Sequence, residues 1–312
     1  MTAADIRSSA VLVHELEPVA AGELERHLAT AKEWFPHQYV PWSEGTDFDG
    51  EYDGVPWDES QSPIDAVGRT ALVINLLTED NLPSYHRAIL ETTGSDGAWG
   101  EWVGRWTAEE ARHAVAMRDY LTVTRAIDPV ALERERMEHM SRGFSSEVEE
   151  GVLTGMAYVS FQELATRISH RNTGRYTNDP GCDRLLARIA ADENLHMLFY
   201  RNIMSAAFEL APDDAMQAVV QVAEGFAMPG SEVEGFVRRS VQIAMAGIYD
   251  LRIHHDEVLL PVLRAWNVFE RTDFGPGGEA ARDRLALFLE GLDAAATRFE
   301  ERRAARLERA QS

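Results

Sequence analysis

The chain has 312 residues, of which 45% are apolar and 26% charged, a composition that excludes disordered, collagen-like and disulfide-stapled proteins. Its 52 acidic and 30 basic residues give a net charge of −22, so nucleic acid is excluded as an expected partner. Cys182 is the only cysteine, so a metal site would need oxygen and nitrogen ligands. The apolar runs are shorter than the ~18 residues of a membrane span, and the N-terminus does not resemble a signal peptide. We therefore expect a cytoplasmic protein that does not span a membrane.

Helical periodicity between breakers predicts an all-α fold, and nothing in the chain is typical of a linker between domains. We expect a single domain over 1–312, with a bundle core at about 64–210 and accessory helices at about 212–307. The long helices are predicted at 64–93, 98–125, 147–172 and 180–210.

Local signals place several helix ends. Asp128-Pro129 and Asp179-Pro180 are each typical of an N-cap followed by proline at the first helical position. Residues 231–234 have capping-box spacing ahead of a helix that ends near Tyr249. Pro261 is expected to kink the next helix, and the glycine-rich residues 275–278 precede the last one.

Two segments, WTAEEARH and ADENLH, each contain two adjacent acids followed by a histidine. Glu110 and His113 are three residues apart, as are Glu193 and His196, so each pair lies on one helix face and can reach one metal ion. That spacing alone is near chance in this acidic chain, and the additional acid before each glutamate makes coincidence less credible.

Each motif follows a predicted helix with a glutamate in apolar surroundings: Glu79 lies 31 residues before Glu110, and Glu163 lies 30 before Glu193. Either glutamate alone could be an ordinary surface residue, but an unpaired carboxylate among apolar residues is costly. Four helices that supply Glu, Glu-x-x-His, Glu and Glu-x-x-His match the ligand set of a ferritin-like di-iron or di-manganese bundle. Four carboxylates would also neutralise two Fe(II) ions, and both ligand types suit that metal.

The segments TEDNLPSYH, WTAEEARH, SFQELATRISHRNTGR and ADENLH closely resemble the soluble acyl-acyl-carrier-protein (acyl-ACP) desaturases, including the plastid stearoyl-ACP desaturases and, more nearly, their actinobacterial relatives. The resemblance implies a ferritin-like bundle with additional helices and O2-dependent desaturation of a long-chain acyl group carried on ACP. It further implies a ferredoxin-type electron donor, a homodimer, and two Fe(II) ions held by the residues Glu79, Glu110, His113, Glu163, Glu193 and His196.

The same resemblance suggests roles around the metal. It associates Trp106, Asp192 and His113, the histidine of the first motif, with electron delivery. It places Thr166 near the oxygen-binding side. For Trp106, a packing role in the core is an equal alternative. Because ACP is acidic, docking would need a basic patch. The candidates are Arg167, Arg171 and Arg175, or the terminal residues Arg298, Arg302, Arg306 and Arg309, which could instead form a solvated helix face.

Other functions remain open to test. A ferroxidase or iron-handling protein uses similar ligands, although such chains are usually about half this length and the helices after Pro212 would have no storage purpose. A non-catalytic acyl-ACP-binding scaffold would not need the complete ligand set. Ribonucleotide reductase would need a redox tyrosine such as Tyr120 or Tyr200, but the neighbouring motifs do not match. The pair His254-His255 is interpreted as incidental.

Overall fold

The computed structural model describes residues 9–143, 151–228 and 235–311. Within these ranges there is no strand, only an isolated bridge between Phe48 and Val55, so the all-α prediction is confirmed. The helices are α1 (Ser9–Thr30), α2 (Ala66–Asp80), α3 (Leu82–Thr93), α4 (Gly97–Val123), α5 (Pro129–Arg142), α6 (Val152–Thr177), α7 (Pro180–Leu210), α8 (Pro212–Gly225), α9 (Phe236–Met245), α10 (Leu251–Ile253), α11 (Leu260–Ala265) and α12 (Pro276–Gln311).

Four long helices, α2, α4, α6 and α7, form a bundle. Helix α6 packs along α7, α2 contacts α4 and α6, and α4 contacts α7. Outside the bundle, α1 lies against α4 and α7, α8 against α6 and α7, and α12 against α8. In the part of the chain that is described, no helix is long and apolar enough to cross a bilayer.

The helix predicted over 64–93 is two helices. Helix α2 ends at Asp80, and α3 begins at Leu82 with a proline in its first turn. Pro83 lacks the amide hydrogen that would continue the helix, and its ring would clash with the carbonyl group four residues earlier, that of Glu79. The break therefore leaves Glu79 in the last turn of α2.

Helix α7 confirms its predicted bounds, and its N-cap is as expected: the Asp179 carboxylate accepts a hydrogen bond from the amide of Cys182 at 2.6 Å. Helix α6 differs, because it passes through Gly174 and ends at Thr177. A Cβ atom at Gly174 would lie 3.1 Å from the Cα of Asp183. The glycine therefore allows α6 and α7 to approach closely and does not end the helix.

The second half of the chain departs from regular α-helix next to Pro261. The chain before Pro261 forms a π-helical turn (His254–Leu259), and α11 begins at Leu260 with the proline in its first turn, where its missing amide hydrogen is tolerated. The kink expected at Pro261 stays a prediction. The predicted capping box at 231–234 and the predicted start of the third long helix at Glu147 lie outside the described residues.

Candidate metal centre

The bundle brings together all six residues predicted as metal ligands. Two overlapping sets each have their ligand atoms within 4.8 Å of one another. The first metal position combines Glu79, Glu110, His113 and Glu193, and the second combines Glu110, Glu163, Glu193 and His196. Glu110 and Glu193, here the shared glutamates, belong to both sets, whereas Glu79 and Glu163, here the outer glutamates, each belong to one.

Both histidines present the same ring atom to the carboxylates. The Nδ1 atom of His113 lies 3.4 Å from Glu110 Oε2 and 3.5 Å from Glu193 Oε1. The Nδ1 atom of His196 lies 2.7 Å from Glu110 Oε1 and 3.7 Å from Glu163 Oε2. Each Glu-x-x-His pair therefore converges on one side of its helix, as the spacing predicts.

Several buried atoms in this space have no hydrogen-bond partner of acceptable geometry among the described residues. They are Glu110 Oε1, His113 Nδ1, Glu163 Oε2, Glu193 Oε1 and His196 Nδ1. Buried polar atoms normally have hydrogen-bond partners. The atoms without one are carboxylate oxygens and imidazole nitrogens from both sets, which are ligand types that Fe(II) binds. The residues therefore fit a pair of divalent cations.

The electrostatics point the same way. Burial, followed by the charge of Glu110 and Glu193, raises the pKa of both outer glutamates well above the usual range. Burial also opposes ionisation of the shared glutamates, but the histidines outweigh it and lower the pKa of both. Although burial opposes their charging, the carboxylates raise the pKa of both histidines. Proton binding to the outer glutamates and to the histidines is thus favoured, and a bound cation would compete with those protons.

Each outer glutamate also has a nitrogen donor nearby. The Nε2 atom of His170 lies 3.2 Å from Glu79 Oε1, and its Nδ1 faces the Asn75 amide nitrogen at 3.3 Å. The indole of Trp106 donates to Glu163 Oε1 at 3.1 Å. Both donors leave the second carboxylate oxygen of their glutamate to face the metal position.

The Nε2 atoms of the two histidines point away from the cluster to carboxylates on the opposite helix. The Nε2 of His113 lies 3.3 Å from Asp192 Oδ2, and that of His196 lies 2.8 Å from Glu109 Oε2. Such contacts fix which ring nitrogen carries the proton and how the ring is oriented. The extra acid in each sequence motif therefore contacts the histidine of the other motif.

Of the three residues that the resemblance associates with electron delivery, Asp192 and His113 contact each other, whereas the Trp106 indole contacts Glu163. The indole that reaches Asp192 belongs to Trp34, whose Nε1 donates to Asp192 Oδ2 at 2.6 Å. The hydroxyl of Thr166 is buried and donates to the carbonyls of Gln162 and Glu163 in its own helix.

The remaining candidates belong to neither ligand set, and Arg167 on α6 is half-buried. Arg171 pairs with Asp183 at 3.0 Å, and Arg175 is exposed. The terminal arginines at 298, 302, 306 and 309 are exposed on α12. The Tyr120 hydroxyl donates to the N-cap carboxylate of Asp179, and the Tyr200 hydroxyl accepts from Trp102; both tyrosines therefore have contacts of structural type.

Sequence reasoning missed Glu109, His27, Trp34 and His170. His27 was detectable, since it is the polar member of the buried α1 face that contains Leu12, Leu16 and Leu24. The sequence pattern identifies Glu109 only as an additional acid. Nothing in the local pattern indicates that Trp34 contacts a residue 158 positions away.

The chain is similar to known fatty acid desaturases over almost its whole length. The sequence profile described as "Fatty acid desaturase" matches residues 8–312. The Mycobacterium tuberculosis protein named acyl-[acyl-carrier-protein] desaturase DesA1 is 52% identical over 305 residues, covering 96% of this chain and 90% of the relative. Stearoyl-[acyl-carrier-protein] 9-desaturase 5 of Arabidopsis thaliana is 30% identical over 289 residues, covering 87% and 71%.

A solved structure gives the same result for the fold. The X-ray structure of acyl-ACP desaturase DesA2 from M. tuberculosis H37Rv matches with a TM-score of 0.71 and 30% sequence identity, covering 87% of this chain and 99% of that one. The predicted ferritin-like helical fold is therefore confirmed.

Proposed function

Because the chain belongs to the fatty acid desaturase family, we propose that it is an oxidoreductase that desaturates a long-chain acyl group carried on acyl carrier protein. The reaction removes two hydrogens from adjacent methylenes: the acyl chain, O2, two electrons and two protons give the alkene and two molecules of water. The observation that carries the proposal is the pair of overlapping ligand sets joined by Glu110 and Glu193.

Two iron ions are proposed as the cofactor. Glu79 and His113 would hold one, Glu163 and His196 the other, and the shared glutamates both. When bound, the iron pair supplies the O2 activation and hydrogen abstraction that no side chain can perform on an unactivated methylene. Four carboxylates would neutralise two ferrous ions. Because the net charge of the centre would then be zero, the six ligands can be buried to between 0% and 5% exposure.

The protein's own residues keep the ligands in place and dry. The six proposed ligand side chains are buried, and buried apolar core residues lie within four positions of them on the same helices, among them Leu76, Met117, Phe161 and Ile189. Exclusion of water strengthens the carboxylate and imidazole interactions. Glu79 and Glu163 are further oriented by His170 and Trp106.

Electrons are proposed to arrive from a ferredoxin-type partner by way of Trp34 and Asp192. Trp34 is buried, but the next residue, Phe35, is 45% exposed, so this series leads from His113 toward the surface. Trp106, which is buried and contacts Glu163, keeps a supporting role in this proposal.

The decisive experiment is mass spectrometry of a saturated long-chain acyl-ACP panel after incubation with the iron-loaded protein, O2, ferredoxin, its reductase and NADPH. We expect loss of two hydrogen atoms from at least one acyl length. A ferroxidase would instead consume O2 with Fe(II) alone, accumulate ferric mineral and leave every acyl chain saturated. That result, with the donor system verified on a known desaturase, would falsify the proposal. Unmodified acyl chains without oxidation of added Fe(II) would favour the acyl-ACP-binding scaffold.

A further inference from the structure

A pair of acidic side chains precedes the shared glutamates by one residue each: Glu109 on α4 and Asp192 on α7. Consecutive residues of a helix point about 100° apart, so when Glu110 and Glu193 face the metal positions, the preceding acids point sideways along the bundle. Each reaches the histidine of the other helix: Glu109 contacts His196 and Asp192 contacts His113. The histidines are therefore supported crosswise.

The two supports differ in what holds them. Asp192 is surrounded by strong donors: the Trp34 indole at 2.6 Å, Arg112 at 2.7 Å, and Arg188 in the next turn of its own helix. Burial opposes the ionisation of this carboxylate, but these donors and His113 stabilise its charge. Asp192 is thus fixed from three directions within the described structure.

Glu109 is held by Arg105, one turn earlier on α4, and by His27 on α1. His27 Nε2 lies 3.0 Å from Glu109 Oε2, the same oxygen that contacts His196 Nε2 at 2.8 Å. The ring of His27 is completely buried and stacks on that of His196, with centroids 5.8 Å apart and planes 25° apart. Its other nitrogen, Nδ1, has no hydrogen-bond partner in the described residues.

The contact with Glu109 is therefore the polar interaction that accounts for the burial of His27. A completely buried imidazole with one satisfied nitrogen is costly, and an apolar side chain would fill that place on the α1 face at lower cost. Two N–H donors on one carboxylate oxygen restrict its rotation. The acceptor of His196 Nε2–H is thereby held in place, and the Nδ1 atom of His196 stays directed at the second metal position.

We propose that His27 and Glu109 are the positioning residues of the second metal position, as Asp192 is of the first. The inference rests on the proposed two-metal centre and deepens it. Helix α1 lies outside the bundle and provides none of the six ligands, so its role is to hold Glu109 through His27. Because different residues support the two positions, the metal affinity of one can change without that of the other. Neither His27 nor Glu109 needs to touch a metal ion or the substrate.

The test is anaerobic titration of the metal-free protein with ⁵⁷Fe(II), with the bound ions counted per chain and distinguished by Mössbauer spectroscopy. His27→Phe keeps a planar ring and removes the donor, whereas His27→Gln keeps an N–H donor. We expect His27→Phe and Glu109→Gln to lower the affinity for one of the two ferrous ions by about 10- to 100-fold and to alter the quadrupole doublet of that ion. His27→Gln should recover most of that affinity.

The matched control is Asp192→Asn, which should perturb the other doublet. Far-UV circular dichroism and thermal unfolding of the metal-free variants separate a positioning effect from general destabilisation. Three results would overturn this inference while leaving the metal centre intact. They are an equal loss of affinity for both ions in His27→Phe, no loss of affinity in that variant, and no recovery of affinity in His27→Gln. A wild-type chain that does not bind two ferrous ions would overturn the proposed centre itself.

Discussion

The two proposed metal positions have the same ligand types but different surroundings. Each has one outer glutamate, one histidine and the two shared glutamates. At the first position, His170 orients Glu79, and Asp192 orients His113. Asp192 is in turn held by Arg112, Arg188 and Trp34. At the second position, Trp106 orients Glu163, and Glu109, which is held by Arg105 and His27, orients His196. Two positions with nearly the same ligands can thus differ in metal affinity because different residues hydrogen-bond to those ligands, and such residues are known to tune metal sites.

The largest expected effect comes from removing a ligand that both positions share. Glu110→Ala should eliminate both ions and lower desaturase activity by more than the roughly 100-fold typical upper loss for a supporting residue, whereas Glu163→Ala should eliminate one ion first. Iron per chain after anaerobic reconstitution measures this difference, and circular dichroism checks that the helices persist. Loss of a single ion in Glu110→Ala would contradict its shared position.

Acidification should remove metal from both positions. The pKa of Glu79 and Glu163 is raised by burial and then by the neighbouring carboxylates, so protons compete with metal for these carboxylates. Affinity for Fe(II) should therefore rise with pH and fall as pH decreases, by about tenfold per pH unit for each proton displaced. Equilibrium dialysis between pH 8 and pH 6 measures the slope; an affinity independent of pH over this range would contradict proton competition.

Asp192→Asn should destabilise the metal-free protein at neutral pH. Burial opposes ionisation of Asp192, but its contacts, first of all with His113, lower its pKa to about 2 from an ordinary 3.8. A lowered folded-state pKa gives stability that is complete above the unfolded value and is lost as pH falls through the folded one. The variant should lose about 2 kcal/mol of unfolding free energy at pH 7.

Urea unfolding at pH 7, 5 and 3.5 measures that loss. The difference from wild type should stay constant between pH 7 and 5 and begin to shrink at 3.5. A difference that instead grows on acidification would show that the Asp192 carboxylate does not stabilise the fold by being ionised.

The smallest expected effect separates the two indoles. Trp34→Phe should retain both irons and slow turnover with the ferredoxin system by about tenfold, a change at the low end for supporting residues. Trp106→Phe removes the donor to Glu163 and should act on the second metal position, with weaker iron binding and no specific defect in electron delivery. Turnover driven by ferredoxin, compared with single turnover of chemically reduced protein, distinguishes them; equal ratios in both variants would remove Trp34 from the proposed electron route.

The sequence by itself determined the features that depend on neighbours along one helix. The all-α class follows from periodicity, the starts of α5 and α7 from Asp128-Pro129 and Asp179-Pro180, and the convergence of Glu110 with His113 from three-residue spacing, because helical geometry fixes these relations within a few residues. The stop predicted at Gly174 and the unbroken helix predicted over 64–93 were wrong. Gly174 allows close packing against Asp183 and does not end α6. Pro83 is a local signal that breaks the predicted long helix after Asp80.

Only the tertiary structure decided which residues support the ligands. His27 and Glu109 are 82 residues apart, Glu79 and His170 are 91 apart, and Trp34 and Asp192 are 158 apart. No helical period relates such positions; their contacts depend on how α1, the segment after it and the bundle helices pack. The proposed ligand pairs could therefore be recognised in the sequence, whereas the difference between the two proposed metal positions required the fold.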